Sequence, residues 1–149
     1  MPSIFRPLAG CLLASCLCVS QAYPQDAAVY ASRLSPLPVD ATLQPTTTGV
    51  GAVEARLDGR TLRVSGTFQG LQGPATEARI HVGPPGMRGP ALLELSVTKA
   101  PAGTVEGLFT VTDAQLEHLR RNRLYVQIHS TAAPEGNLRG WLMPPKERR

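Results

Sequence analysis

Two histidines stand near the ends of segments in which apolar and polar residues alternate: His81 follows Arg79-Ile80, and His129 follows Gln127-Ile128. A period of two sends successive side chains to opposite faces of a strand. Ile80 and Val82 therefore share a face that Arg79 and His81 avoid, and Leu124, Val126 and Ile128 oppose Tyr125, Gln127 and His129. If the two strands are neighbours, the imidazoles converge, with Arg79 or Glu77 beside them. Two imidazoles and a carboxylate can bind zinc or copper, although metal sites normally use three or four ligands. The competing reading is a pair of hydrogen-bonded or exposed histidines. On the outward face, His81 is expected to be a surface residue whose replacement by alanine costs less than about 0.5 kcal/mol. The third histidine, His118, falls on the polar side of a predicted helix and is expected to be solvated.

Nucleophilic catalysis needs a hydroxyl or thiol beside a base. Ser130 adjoins His129, but neighbours on a strand point apart, so the pair makes no dyad. The chain has no Gly-x-Ser-x-Gly, His-Glu-x-x-His or phosphate-loop motif. Gly83-Pro84-Pro85-Gly86 contains glycine but has no lysine and no helix after it, so it reads as a plain loop. The 3 cysteines, Cys11, Cys16 and Cys18, all precede the folded part. That part therefore holds no disulfide, thiolate metal site or thiol nucleophile. No cofactor and no enzymatic activity are expected; the alternative is a metal-binding protein or a metal-dependent enzyme that uses His81 and His129. Tyr125 and Trp141 read as core or edge-packing aromatics, and Arg139 is expected to pair with Glu94 or Glu135 and fix a turn. Arg79, His81, His129 and Arg139 are the candidate binding residues, with His81 and His129 the alternative metal pair.

A chain of 149 residues accommodates one domain once a leader and a tail are set aside. The formal charge of +4 owes much to Arg6, Lys146, Arg148 and Arg149, and aromatic residues make up 5%. Scattered bases with few aromatics argue against nucleic acid as a partner. The denser run Arg120, Arg121 and Arg123 lies at a predicted helix end, where cations complement the dipole.

Arg6, the apolar run Leu8 to Val19 and Ser20-Gln21-Ala22 form a secretory signal pattern over residues 1–22. The run is shorter than the ~20 residues a spanning helix needs. Leu13-Ala14-Ser15-Cys16 also resembles a lipobox, which would make Cys16 the lipidated N-terminus. Both routes imply export to the periplasm or the extracellular space, with a lipid anchor as the only membrane attachment. Residues 23–28 are expected to be a flexible segment, 29–143 the folded domain and 144–149 a basic tail.

Within the domain, Val29 to Leu34, Ala52 to Leu57, the segment through Leu62, Val64 and Phe68, Ala78 to Val82, Leu92 to Val97, Val105 to Val111, Leu124 to His129 and Leu138 to Met143 read as strands. Asp58-Gly59 and Pro134-Glu135-Gly136-Asn137 read as turns. Thr112-Asp113-Ala114-Gln115 has capping-box spacing, with Val111 and Leu116 as its staple, so a short helix is expected over about 112–121. Short strands punctuated by Gly and Pro predict an all-β fold: an antiparallel Greek-key-like sandwich or barrel with one short helix. Leu138 and Leu142 should face the core, which puts Gly140 on the inward row, where valine would overpack at a cost of about 1 to 3 kcal/mol.

The order Gly70-Leu71, Ala78-Arg79-Ile80-His81, Gly86 to Pro90, Thr112 to Leu119, Leu124 to Ser130 and Pro134-Glu135-Gly136-Asn137-Leu138-Arg139-Gly140 resembles the CHRD domain family. The likeness runs from about Val29 to Leu142. It is most specific in the tyrosine strand ending at His129 and the Pro-x-Gly-x-x-Arg-Gly block. The resemblance implies an all-β extracellular domain, in chordin part of a protein that binds growth factors, and supplies no catalytic residues. It thus implies a non-catalytic binding or structural module with a protein or envelope ligand. The family commonly has His-Ile-His where this chain has Arg79-Ile80-His81, so one imidazole of the family pattern is missing.

Overall fold

The computed structural model describes residues 27–37 and 45–145. The leader, with Cys16 and its neighbours, and the tail from Lys146 onward lie outside the described residues. Eight strands follow in chain order: β1 (Ala28–Pro36), β2 (Val50–Asp58), β3 (Thr61–Gln69), β4 (Ala75–Val82), β5 (Ala91–Val97), β6 (Gly103–Thr110), β7 (Leu124–Ser130) and β8 (Leu138–Trp141), with one helix, α1 (Asp113–Arg120), between β6 and β7. They close into a barrel in the order β1-β2-β3-β6-β5-β4-β7-β8, with antiparallel pairing throughout. The sandwich-or-barrel alternative thus resolves to the barrel. In the run β3-β6-β5-β4-β7, the β4-β5-β6 meander is flanked by β3 and β7 as in a Greek key.

Closure follows from the alternation. Val53, Ala55 and Leu57 from β2, Leu62, Val64 and Phe68 from β3, Ile80 from β4, Val105 from β6, Leu124, Val126 and Ile128 from β7, and Leu138 and Leu142 at β8 all fall in one buried cluster. At roughly 25 cal/mol per Å² of apolar surface, each of the valine, leucine, isoleucine and phenylalanine side chains contributes on the order of 2 kcal/mol. A closed barrel also leaves no open sheet edge.

The helix starts where its cap requires. Thr112 Oγ1 accepts from the Gln115 amide, the Gln115 side chain accepts from the Thr112 amide, and both Val111 and Leu116 are buried. Asn122 ends it in the left-handed region with φ 56°. His118 is half-buried rather than solvated, because the chain turns back at Asn122 and the Arg123 amide bonds the His118 carbonyl.

Candidate functional site

Strands β4, β7 and β8 lie side by side with their outward rows in register. His81 stands opposite Tyr125 and Tyr125 opposite Trp141; Arg79 stands opposite Gln127 and Gln127 opposite Arg139; Glu77 stands opposite His129. Cross-strand neighbours on one face sit about 5 Å apart. Alternation and register together therefore gather Arg79, His81, His129 and Arg139 on one face.

Every residue of β7 is buried, on both faces. The inner row belongs to the core, while two loops cover the outer row. From the loop after β4, Gly89 bonds the Tyr125 hydroxyl through both its amide (3.0 Å) and its carbonyl (3.2 Å), and Gly83 accepts from Trp141 Nε1 at 3.0 Å. From the loop after β7, the Pro134 and Glu135 carbonyls reach His129 and Gln127. His129 is only 8% exposed, so its strand-end position does not make it a surface residue.

The hydrogen bonds on this face form a directional chain. Arg139 donates from Nε and Nη2 to Oε1 of Gln127, at 2.9 and 2.7 Å. That fixes the amide, whose Nε2 donates to the Glu135 carbonyl at 3.3 Å and faces His129 Nε2 at 3.1 Å. His129 Nδ1 lies 2.8 Å from the Pro134 carbonyl. A carbonyl only accepts, so Nδ1 carries the hydrogen and Nε2 receives the Gln127 N–H through its lone pair. The expected pairing of Arg139 with Glu94 or Glu135 is therefore overturned. Glu94 and Glu77 flank Arg79 instead, at 3.7 and 2.7 Å, and Glu135 serves the face through its backbone oxygen.

Tyr125 is the centre of the aromatic part. Its ring is stacked with His81 (centroids 5.0 Å apart, 12° between planes), tilted against Trp141 (5.0 Å, 44°) and covered by the Arg139 guanidinium at 5.1 Å. At 1% exposed, it is a core residue of the outer layer rather than of the barrel. His81 is itself half-buried, not a surface residue. Its Nδ1 lies 3.0 Å from the Gly89 carbonyl and so carries the hydrogen, which leaves Nε2 buried without a partner.

The donor set does not suit a metal ion. The His129 Nε2 lone pair is engaged by Gln127, Glu77 is held by Arg79 and stands 3.8 Å from His129 Nδ1, and the imidazole centroids are 6.5 Å apart. Only the His81 lone pair is uncommitted, and one imidazole is not a site. Among the described residues no group of three or more His, Cys, Asp or Glu is placed to hold a metal. Ser130 is buried on the inner row, donating to Asn137 Oδ1 at 2.8 Å and accepting the Ala133 amide at 3.1 Å, so it forms no dyad with His129.

Burial, opposed by the Gly89 carbonyl and reinforced by His129, Arg139 and Arg79, pushes His81 below its ordinary value of 6.5. As pH falls below that value the unfolded chain takes up a proton that the folded chain still refuses. Stability from this group is therefore full above the unfolded value and declines on acidification. His81→Phe keeps the stack, loses one hydrogen bond and removes the unpartnered nitrogen, so it should change stability at neutral pH by less than about 1 kcal/mol. His81→Ala loses the stack as well and should cost about 1 to 2 kcal/mol, more than a surface position would. Urea melts at about pH 7.5 and about pH 5.5 should show a smaller acid loss in His81→Phe than in the wild type; equal losses would contradict the assignment.

The residues that reasoning from the sequence missed are Gln127, the hub of the chain, and Gly89, Pro134 and Glu135, which act through their backbones. Gln127 carried a signal in its place on the outward row between Tyr125 and His129, whereas the loop carbonyls carried none. The CHRD domain profile matches residues 32–142, a span from within β1 to just past β8. No curated protein and no solved structure matches the chain.

Proposed function

The chain belongs to the CHRD domain family, and from that premise we propose that it is an exported, non-catalytic binding module of the cell envelope or extracellular space. Its ligand, a protein or envelope component, docks where this face reaches solvent, at Arg79 of β4, Arg139 of β8 and the loops that cover β7. The observation that carries this reading is the gathering of Arg79, His81, His129 and Arg139 on one face, with the His129 ring locked by Gln127 and Pro134. A face whose shape is fixed before binding loses little entropy on association, which suits recognition. The position of Ser130 supports the non-catalytic part of the reading: the hydroxyl next to His129 in sequence points into the barrel and bonds Asn137. Among the described residues no helix is long and apolar enough to cross a membrane.

Export rests on the leader pattern. Mass spectrometry of the mature protein from its native envelope should find a chain starting at Tyr23 or at a diacylated Cys16, the latter identifying a lipid anchor. A mature chain that retains Met1 would overturn export. Turnover of an ester, peptide or glycan panel by the purified domain, abolished by His129→Ala, would overturn the non-catalytic reading.

A further inference from the structure

We propose that Arg139, with Arg88 on the adjoining loop, docks a carboxylate carried by an acidic segment of a protein partner, and that Met87 and Trp141 supply the apolar contact around it. The inference rests on the binding reading of this face and names the chemistry of its partner. A guanidinium has five N–H donors. Two of those on Arg139 are directed at Gln127 Oε1, and the others have no acceptor among the described residues. The same guanidinium lies 5.1 Å from the Tyr125 ring centre and 5.9 Å from that of Trp141. Its plane is thus fixed by an amide on one edge and by aromatic rings across its face. A fixed fork is what a bidentate carboxylate contact requires.

The charges around it are unbalanced. Glu77 and Glu94 are drawn to Arg79, and among the described residues no carboxylate lies within ion-pair distance of Arg139 or Arg88. Arg88 adjoins Gly89, which bonds the hydroxyl of the same Tyr125 whose ring the Arg139 guanidinium covers, and burial, with the charge of Arg88, holds Arg139 below its ordinary value against the pull of Tyr125. A half-buried cation beside a second one and without a counter-charge favours an anionic partner.

The surroundings favour a polypeptide over a small anion. Met87, 62% exposed, projects from the loop that Gly83 and Gly89 tie to Trp141 and Tyr125. Arg, Trp and Met are residue types enriched at protein interfaces. Two hollows of about 500 and 490 Å³ lie elsewhere, one over β1, β2 and β3 and the other over those strands and β6.

The test is an NMR titration of the full mature chain, labelled with ¹⁵N, using three synthetic peptides of equal length that alternate leucine with glutamate, glutamine or lysine. Inorganic phosphate forms a fourth arm. The glutamate peptide should shift the Arg139 Nε–H and Trp141 Nε1–H signals saturably, at least tenfold more tightly than the glutamine peptide. Arg139→Gln should abolish those shifts. Arg88→Gln, on an exposed loop where folding is not at stake, should weaken them several-fold.

If the glutamine or lysine peptide binds this face as well as the glutamate peptide, the acidic partner is wrong and the binding face stands. If phosphate saturates the same signals as tightly as the glutamate peptide, the site takes free anions and the polypeptide partner is wrong. If no peptide moves the face, or the shifts spread over Arg33, Arg63 and Arg120, both the inference and the binding reading fail.

Discussion

Gly140→Val is expected to destabilise the domain by about 3 kcal/mol, the upper end for overpacking. Gly140 lies on the inward row of β8, opposite Val126 of β7, where β8 also closes the barrel against β1. A Cβ at this position would stand 2.5 Å from the Arg33 carbonyl oxygen and 3.0 Å from Leu34 Cδ2, and would collide with Ser32 Oγ. The serine hydroxyl can rotate away, but the Arg33 carbonyl is backbone and cannot move without separating β1 from β8. Closure of the barrel therefore depends on the missing side chain. Urea melts of the variant should show a fall in midpoint with little change in slope. A loss below about 0.5 kcal/mol, the scale of a surface change, would mean that the β1–β8 seam is looser than described.

Gln127→Leu should cost a similar amount, about 3 kcal/mol, through loss of polar partners rather than through packing. The side chain is 4% exposed and satisfies Arg139, His129 and the Glu135 carbonyl together. Leucine fills much the same volume, yet leaves a half-buried guanidinium and an imidazole nitrogen without partners. Removing one partner of a buried polar set costs more than removing both. The double variant Gln127→Leu with Arg139→Leu should therefore recover roughly 1 to 2 kcal/mol of the loss. Additive losses would show that the two residues do not act together.

The all-β strand pattern was legible because its signals are local and repeated, although sandwich and barrel were not told apart. Val53, Ala55 and Leu57, then Leu62, Val64 and Phe68, then Leu124, Val126 and Ile128 alternate without a break, and all of them point inward. Thr112 and Gln115 announced the helix start in the same way. Strand ends were less legible: β4 begins at Ala75, ahead of the expected Ala78, because a register shift between Ala75 and Glu77 lets pairing with β7 continue.

Alternation also placed the candidate residues on one face, but it could not tell an exposed face from one roofed by loops. Hence His81 was expected at the surface and is half-buried, and Arg139 was expected to seek a carboxylate and finds an amide. What decides both is the path of residues 83–90 and 131–137, whose backbone groups complete the face. A carbonyl's partner depends on where the chain runs and not on which residue carries it.

The central claim is that the outer face of β4, β7 and β8 is held by a directional chain from Arg139 through Gln127 to His129 and Pro134. Long-range ¹⁵N–¹H correlation of the imidazole nitrogens reads that chain at His129. The account predicts a hydrogen on His129 Nδ1, none on Nε2, and signals unmoved by equimolar zinc. A hydrogen on Nε2, or loss of the His129 signals when zinc is added, would contradict it.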